Sequence, residues 1–218
     1  ILVLLNIIVT FFDFRIDLTK DKRYSLTNSS ITYLSNEEEF PNRILFKIYL
    51  DGELPAEVRR LRNSIKDKLN EFKYYAGKRV EYEFIDPNIG SLADQQALKD
   101  QLYDKGKGIR PVDIMYRSKG TSKILEIFPG AVVEYEGKTI DYIRFLEGGQ
   151  FRLDNVLENQ IQKSINSIEY KLMQSIAKAT RRTKKTIAFI HGHGELGIPF
   201  TQGARKNIED SYIIKDII

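Results

Sequence analysis

The stretch at residues 43–86, RILFKIYLDGELPAEVRRLRNSIKDKLNEFKYYAGKRVEYEFID, contains the pattern that decides the fold. Its first eight residues are a short apolar run that predicts a buried strand. From residue 56 to residue 74, apolar side chains recur at spacings of three and four, which predicts an amphipathic helix that ends at Gly77. Residues 78–86 alternate apolar and charged side chains and predict a second strand. Such a βαβ unit crosses over right-handed, so its two strands are expected to be parallel.

The segments that follow predict further helices and strands. A helix is expected over residues 92–103, and strands are expected at RPVDIMYR (110–117) and SKILEIF (122–128). Residues 131–146 predict a hairpin that turns at residues 136–138. The order βαβαββ, with Pro111 at the start of the third strand, predicts a thioredoxin-like α/β domain with one mixed sheet over residues 15–150. The chain has no cysteine and so lacks the CxxC motif; such a domain can bind or scaffold but cannot exchange disulfides.

A long amphipathic helix is predicted after this domain. Apolar side chains keep one stripe through residues 153–180 for about seven turns, which is longer than one small sheet needs for cover. We therefore interpret residues 151–183 as a connecting helix that packs on the first sheet and then reaches the next strand. That strand, TIAFI, and the strand-like YIIKDII near residue 218 predict the start of a second α/β domain over residues 184–218.

The first twelve residues, ILVLLNIIVTFF, carry no charge. They are fewer than the roughly 20 residues that span a bilayer. One interpretation is a buried strand or helix of a globular core. The interpretation we favour is that residues 1–14 are the end of a truncated transmembrane helix, with Arg15 at the water boundary.

The composition excludes several classes of function. Lysine and arginine exceed aspartate and glutamate by 34 to 30, a net charge of +4, so nucleic acid is not an expected partner. The absence of cysteine excludes disulfide frameworks, cysteine-ligated zinc and thiol chemistry. No Ser-His-Asp set can be assembled from the sequence, and we predict neither catalytic residues nor a cofactor.

Both histidines of the chain lie in the stretch KTIAFIHGHGELG, residues 185–197. His191, His193 and Glu195 alternate with glycines, and two imidazoles with a carboxylate could ligate zinc or another divalent ion. The spacing suits a strand face or an irregular loop, whereas two zinc ligands on a helix are usually four residues apart. The simpler interpretation is a strand-to-helix turn whose glycines adopt positive φ. We therefore predict no metal site and treat the three residues as a candidate ligand or partner cleft.

Five segments, taken in order, resemble one family. They are RIDLTKDKRYSLT (15–27), YLDGELPAEVRRL (49–61), EYEFIDP (81–87), IEYKLMQSIAKAT (168–180) and KTIAFIHGHGEL (185–196). Together they resemble the GldG family, the gliding-motility-associated accessory subunits of Bacteroidetes ABC transporters. The resemblance runs from Phe12 onward and rests on the five segments in register, since no single one is decisive.

The resemblance implies a place in a membrane complex. Members of that family carry a transmembrane helix at each end of a large extracytoplasmic region. By analogy, we expect this chain to lie in the periplasm at the inner membrane, as a non-enzymatic subunit that serves gliding motility or secretion. Its expected partners are a transmembrane channel subunit and a separate cytoplasmic ATPase. The resemblance also implies an amidotransferase-like second domain, so the alternative is a metal-dependent or amidotransferase-like hydrolase centred on the HGHGE loop.

Overall fold

The computed structural model describes residues 25–103, 108–118, 121–147, 149–152, 155–180, 185–192, 194, 196–209 and 212–217. These residues form five α-helices and nine β-strands. The helices are α1 (Asn28–Ser35), α2 (Ala56–Ala76), α3 (Leu92–Leu102), α4 (Asn155–Thr180) and α5 (Ile198–Ile208). The strands are β1 (Ile44–Ile48), β2 (Val80–Phe84), β3 (Val112–Ser118), β4 (Thr121–Ile127), β5 (Gly130–Tyr135), β6 (Lys138–Arg144), β7 (Gln150–Arg152), β8 (Lys185–Ile190) and β9 (Tyr212–Ile217).

The predicted βαβ unit is confirmed. Strands β1 and β2 are parallel, with Ile44 opposite Val80 and Ile48 opposite Phe84. Helix α2 connects them and ends at Gly77, whose φ of 61° is readily adopted only by a residue without a Cβ. The predicted apolar stripe of α2 is buried throughout: Val58, Leu61, Ile65, Leu69 and Phe72.

The predicted thioredoxin-like domain with a single mixed sheet is wrong. The four-stranded sheet has the order β2-β1-β5-β6, and β3 belongs to a separate three-stranded sheet of order β4-β3-β7. The position beside β1 is taken by β5, which pairs with it antiparallel. Strand β3 instead pairs with β4 in a hairpin and with β7 in parallel. The sequence pattern could not decide whether β3 or β5 lies beside β1, because both strands are apolar enough to pack there.

Both faces of the four-stranded sheet are covered. Successive residues of a strand point to opposite faces, and β5 shows this directly. Ala131 and Val133 belong to the main core with α2 and α4, whereas Val132 joins a smaller cluster with Leu102 of α3. The main core also takes in Ile114 of β3, so the two sheets share one interior.

The long helix α4 is part of that interior. It packs against α2, β6 and β7. Its buried side chains extend from the first turns to the last: Leu157, Ile161, Ser164, Ile168, Leu172, Ser175 and Ile176. Beyond α4, strands β8 and β9 form a parallel pair and α5 connects them. The division into domains at residues 15, 151 and 184 stays a prediction.

The predicted end of a transmembrane helix, residues 1–14, lies outside the described residues. Within the described ranges, no helix is long and apolar enough to cross a membrane.

The fold of the described chain is a mixed α/β architecture with three sheets.

Candidate functional site

His191 lies directly after β8, at the carboxyl end of the β8–β9 pair. Its backbone N–H donates to the carbonyl of Ile217, 2.8 Å away, which continues the ladder by one residue. The chain then turns through Gly192 and Gly194, with φ of 114° and 91°. The prediction of a turn whose glycines adopt positive φ is confirmed.

The side chain of His191 is held by a cluster that the sequence analysis did not predict. Its Nε2 lies 2.7 Å from Asp216 Oδ1. Arg205 of α5 donates through Nη2 to Asp216 Oδ1 at 2.5 Å and through Nη1 to Asp216 Oδ2 at 3.2 Å. The Arg205 guanidinium also lies over the ring of Phe189, 4.0 Å from its centroid, and Nε donates to Thr201 Oγ1 at 2.8 Å. This cluster ties α5 to both strands.

The charge state of Asp216 follows from these contacts. Hydrogen bonds from Arg205 and from His191 lower the pKa of Asp216 to about 2. Asp216 is therefore an anion at neutral pH and already has two partners. Because Arg205 Nη2 also lies 3.3 Å from His191 Nε2, that imidazole nitrogen faces a cation and a carboxylate and is not presented to a substrate.

The other two predicted cleft residues, His193 and Glu195, lie outside the described residues. Of the predicted cleft, the structure therefore describes only His191, which contacts Asp216 and Arg205. In the part of the chain that is described, no three histidine, aspartate or glutamate side chains form a group that could hold a metal ion.

A cavity of about 290 Å³ lies at the carboxyl ends of the parallel strands β1 and β2. We call it the β1–β2 cavity. Residues 49–51, 53–54, 86–88 and 125–128 line it, so the loops after both strands and the end of β4 contribute. Open α/β sheets characteristically bind ligands in a crevice outside the carboxyl ends of their parallel strands.

The β1–β2 cavity combines an apolar wall with carboxylates. Leu50 and Leu54 are buried, as are Ile127 and Phe128. The carboxylates of the lining are Asp51, Glu53, Asp86 and Glu126. The site is thus an acidic opening over an apolar floor.

Tight backbone packing fixes one carboxylate of the cavity. Gly52 has a φ of 98°, and a Cβ built on it would lie 2.3 Å from Asp86 Oδ2. Asp86 Oδ1 accepts the backbone N–H of Asn88 at 2.9 Å. A signal for this site was present in the sequence, since both strands of the βαβ unit run directly into an aspartate, in YLD (49–51) and FID (84–86).

Comparisons with known proteins give one match. No curated protein and no solved structure matches the chain. The model of the family described as "Domain of unknown function (DUF7088)" matches residues 20–134. That segment contains every residue that lines the β1–β2 cavity, whereas the His191 cluster lies after it. Since the match covers more than half of the 218 residues, the chain belongs to the DUF7088 family.

Proposed function

We propose that this protein is a non-enzymatic subunit of an ABC-transporter-type membrane complex that serves gliding motility or secretion. In this proposal the described residues act on the periplasmic side of the inner membrane. They bind a transmembrane channel subunit, and the complex includes a separate cytoplasmic ATPase. The observation that carries the proposal is the resemblance of five segments, in order, to the GldG family.

The positions of those segments in the fold support a common role. Residues 49–61 cover the loop after β1 and the first turns of α2, and residues 81–87 cover most of β2 and the start of its loop. The two segments meet at the β1–β2 cavity. Residues 168–180 are the second half of α4, which is buried against α2 and β6. Three of the five segments therefore lie in elements that belong to the core or shape one cavity.

Exposed apolar side chains in residues 185–217 support a binding role. Between 47% and 78% of the surface of each is exposed: Ile190, Leu196, Ile198, Phe200, Ile213 and Ile217. Ile190 and Ile217 lie opposite each other in the β8–β9 ladder, and adjacent exposed apolar side chains favour contact with another protein surface.

Co-purification tests the proposal. The full-length protein, tagged and expressed in its native host, is isolated from membranes in a mild detergent and its partners are identified by mass spectrometry. We expect an integral membrane protein and an ATPase. Recovering neither would refute the proposal.

Two variants of that protein sharpen the experiment. Phe200→Ser removes an apolar side chain that is 78% exposed, and Leu92→Ser removes one that is 84% exposed on α3. We expect Phe200→Ser to lower the yield of the membrane partner and Leu92→Ser to leave it unchanged. Equal yields would remove residues 185–217 from the interface.

The alternative function, a hydrolase centred on the HGHGE loop, is favoured by one contact. A histidine held by a carboxylate, as His191 is by Asp216, is an arrangement that enzymes use for general-base catalysis. The Arg205 contact does not decide between the two functions, because Arg205 lies at Nε2, the nitrogen that already faces Asp216, whereas a base uses its other nitrogen. Metal analysis of the purified protein separates the two proposed functions. Stoichiometric zinc that is lost in His193→Ala would favour the hydrolase, and we expect no stoichiometric zinc.

A further inference from the structure

The charges in the β1–β2 cavity are not balanced by its own lining. The lining holds four carboxylates and no lysine, arginine or histidine. Cations outside it compensate two of them. Asp51 receives a bidentate pair from Arg62, at 3.2 and 3.1 Å, and Glu126 pairs with Lys99 at 3.0 Å.

The other two carboxylates, Glu53 and Asp86, have no cationic partner among the described residues. Glu53 is exposed at the opening, and Asp86 is half-buried. Asp86 cannot easily turn away, because the backbone of Gly52 lies against it and the N–H of Asn88 holds its other oxygen. A fixed, half-buried carboxylate such as Asp86 interacts favourably with a bound cation, since it is less screened than a fully solvated group.

The apolar part of the cavity sets a second requirement. Leu54 and Phe128 are nearly inaccessible to solvent, and Tyr49 beside them is buried deeply enough to raise the pKa of its hydroxyl. The aliphatic stem of a bound side chain is favoured where it covers the apolar part of this lining, because the burial of methylene groups is favourable. The volume, about 290 Å³, is at the lower end of the range for small-molecule sites. The cavity therefore suits one compact group.

We propose that the β1–β2 cavity binds a lysine or arginine side chain of a partner polypeptide. The ammonium or guanidinium group lies between Glu53 and Asp86, and the aliphatic stem lies on the apolar wall. A free amino acid is disfavoured because its own carboxylate would enter a cavity that already holds four. A side chain within a polypeptide carries the cation alone. This inference concerns the DUF7088 segment and stands whether or not the chain is part of an ABC-type complex.

Ligand-observed NMR with the full-length protein tests the proposal. The probes are N-acetyl-arginine N-methylamide and N-acetyl-lysine N-methylamide, with N-acetyl-citrulline N-methylamide as the neutral isostere of the first. We expect the two basic probes to bind and the citrulline probe to bind at least about tenfold more weakly, a difference of about 1.4 kcal/mol. Equal binding of the arginine and citrulline probes would overturn the proposal.

Variants locate the binding. Asp86→Asn removes the fixed charge with little change of shape, and Glu53→Gln removes the exposed one without touching the core. We expect each to weaken the basic probes by about tenfold. Glu37→Gln, an exposed carboxylate outside the lining, is the matched control and should have no effect. If Asp86→Asn and Glu53→Gln both behave like Glu37→Gln, the cavity is not the site.

A free polyamine is the other source of the same chemistry. Spermidine is therefore titrated alone and in competition with the arginine probe. We expect the arginine and lysine probes to bind in the absence of spermidine. Binding of spermidine with no binding of either side-chain probe would overturn the assignment to a polypeptide.

Discussion

Arg79 links three separate segments that pack around the four-stranded sheet. It donates to the carbonyls of Leu34 and Phe40, both at 2.8 Å, to Asn36 at 3.3 Å and to Ala76 at 3.0 Å. Those carbonyls belong to the end of α1, the loop after it and the end of α2. A guanidinium can serve all of them because its donors point in several fixed directions.

Replacing Arg79 with methionine keeps the aliphatic stem and removes every one of these donors. Hydrogen bonds that involve a charged group contribute about 1.5–3 kcal/mol each, and some of these carbonyls are re-solvated. We expect the free energy of unfolding to fall by about 2 kcal/mol, measured by denaturant titration. Arg79→Lys should recover less than half of the loss, because an ammonium cannot reach carbonyls on opposite sides. Lys78→Met, at an exposed neighbouring position, is the control. An Arg79→Met variant that is as stable as Lys78→Met would show that these hydrogen bonds do not contribute to the free energy of unfolding.

Asp216 gives a prediction of pH dependence. Its folded pKa of about 2 lies below the usual value of about 3.9 for an unfolded aspartate. The carboxylate therefore stabilises the folded state fully above about pH 4, and this contribution is lost as the pH falls through about 2.

Asp216→Asn mimics the protonated state at every pH. Thermal unfolding followed by circular dichroism should show a lower midpoint for the variant than for the wild type above pH 4. The difference between the two midpoints should shrink toward zero near pH 2. For Glu37→Gln, the difference in midpoint from the wild type should not depend on pH in this way. A difference for Asp216→Asn that stays constant with pH would mean that the ion pair with Arg205 does not cause the loss of stability.

Among the elements, α4 packs along much of the core of residues 25–180. Its buried side chains face α2 and β6, and polar links fix it further. Ser175, 1% exposed, donates to Asp141 Oδ2 of β6 at 2.7 Å, and Lys178 Nζ lies 3.0 Å from Asp141 Oδ1. Lys171 donates to the carbonyl of Arg144, and its burial lowers the pKa of its ammonium group.

Ile168 lies in the middle of the buried face of α4 and is 1% exposed. Ile168→Ala removes buried methyl and methylene groups and leaves a cavity, which costs about 2–5 kcal/mol. Tyr170→Ala, two residues away and 69% exposed, is the control and should cost less than about 1 kcal/mol. Both values come from denaturant titration, and equal losses would show that the buried face of α4 has been assigned to the wrong side.

The elements also show where sequence reasoning succeeded and where it stopped. The stripe of α2 and the parallel pairing of β1 with β2 are local consequences of residue spacing, and they were predicted correctly. The partner of β1 on its other edge was not predicted correctly. Strands β3 and β5 carry similar apolar patterns, and the choice between them depends on long-range packing that no local window contains.

The candidate site shows the same limit. The turn after β8 followed from the glycines, but the contact of His191 with Asp216 and Arg205 joins residues separated by 25 and 14 positions. The carboxylates of the β1–β2 cavity likewise come from three separate segments. Two of them, Asp51 and Asp86, could have been paired from the sequence, because parallel neighbouring strands end at one edge.

For the whole molecule, two surfaces are available for partners. One is the β1–β2 cavity within the DUF7088 segment, which is acidic and concave. The other is the exposed apolar set of residues 185–217. The continuous core of α2, α4 and the first sheet gives the β1–β2 cavity a rigid frame within residues 25–180.

The central claim, that this chain works by binding a membrane partner, is tested most closely by photo-cross-linking in the native host. A photoreactive amino acid replaces Phe200, Leu92 or Tyr74 of the full-length protein, one position at a time; these side chains are 78%, 84% and 81% exposed on three different helices. Illumination of intact cells should join the Phe200 variant to an integral membrane protein, identified by mass spectrometry. If none of the three positions forms an adduct with a membrane protein, the claim is contradicted.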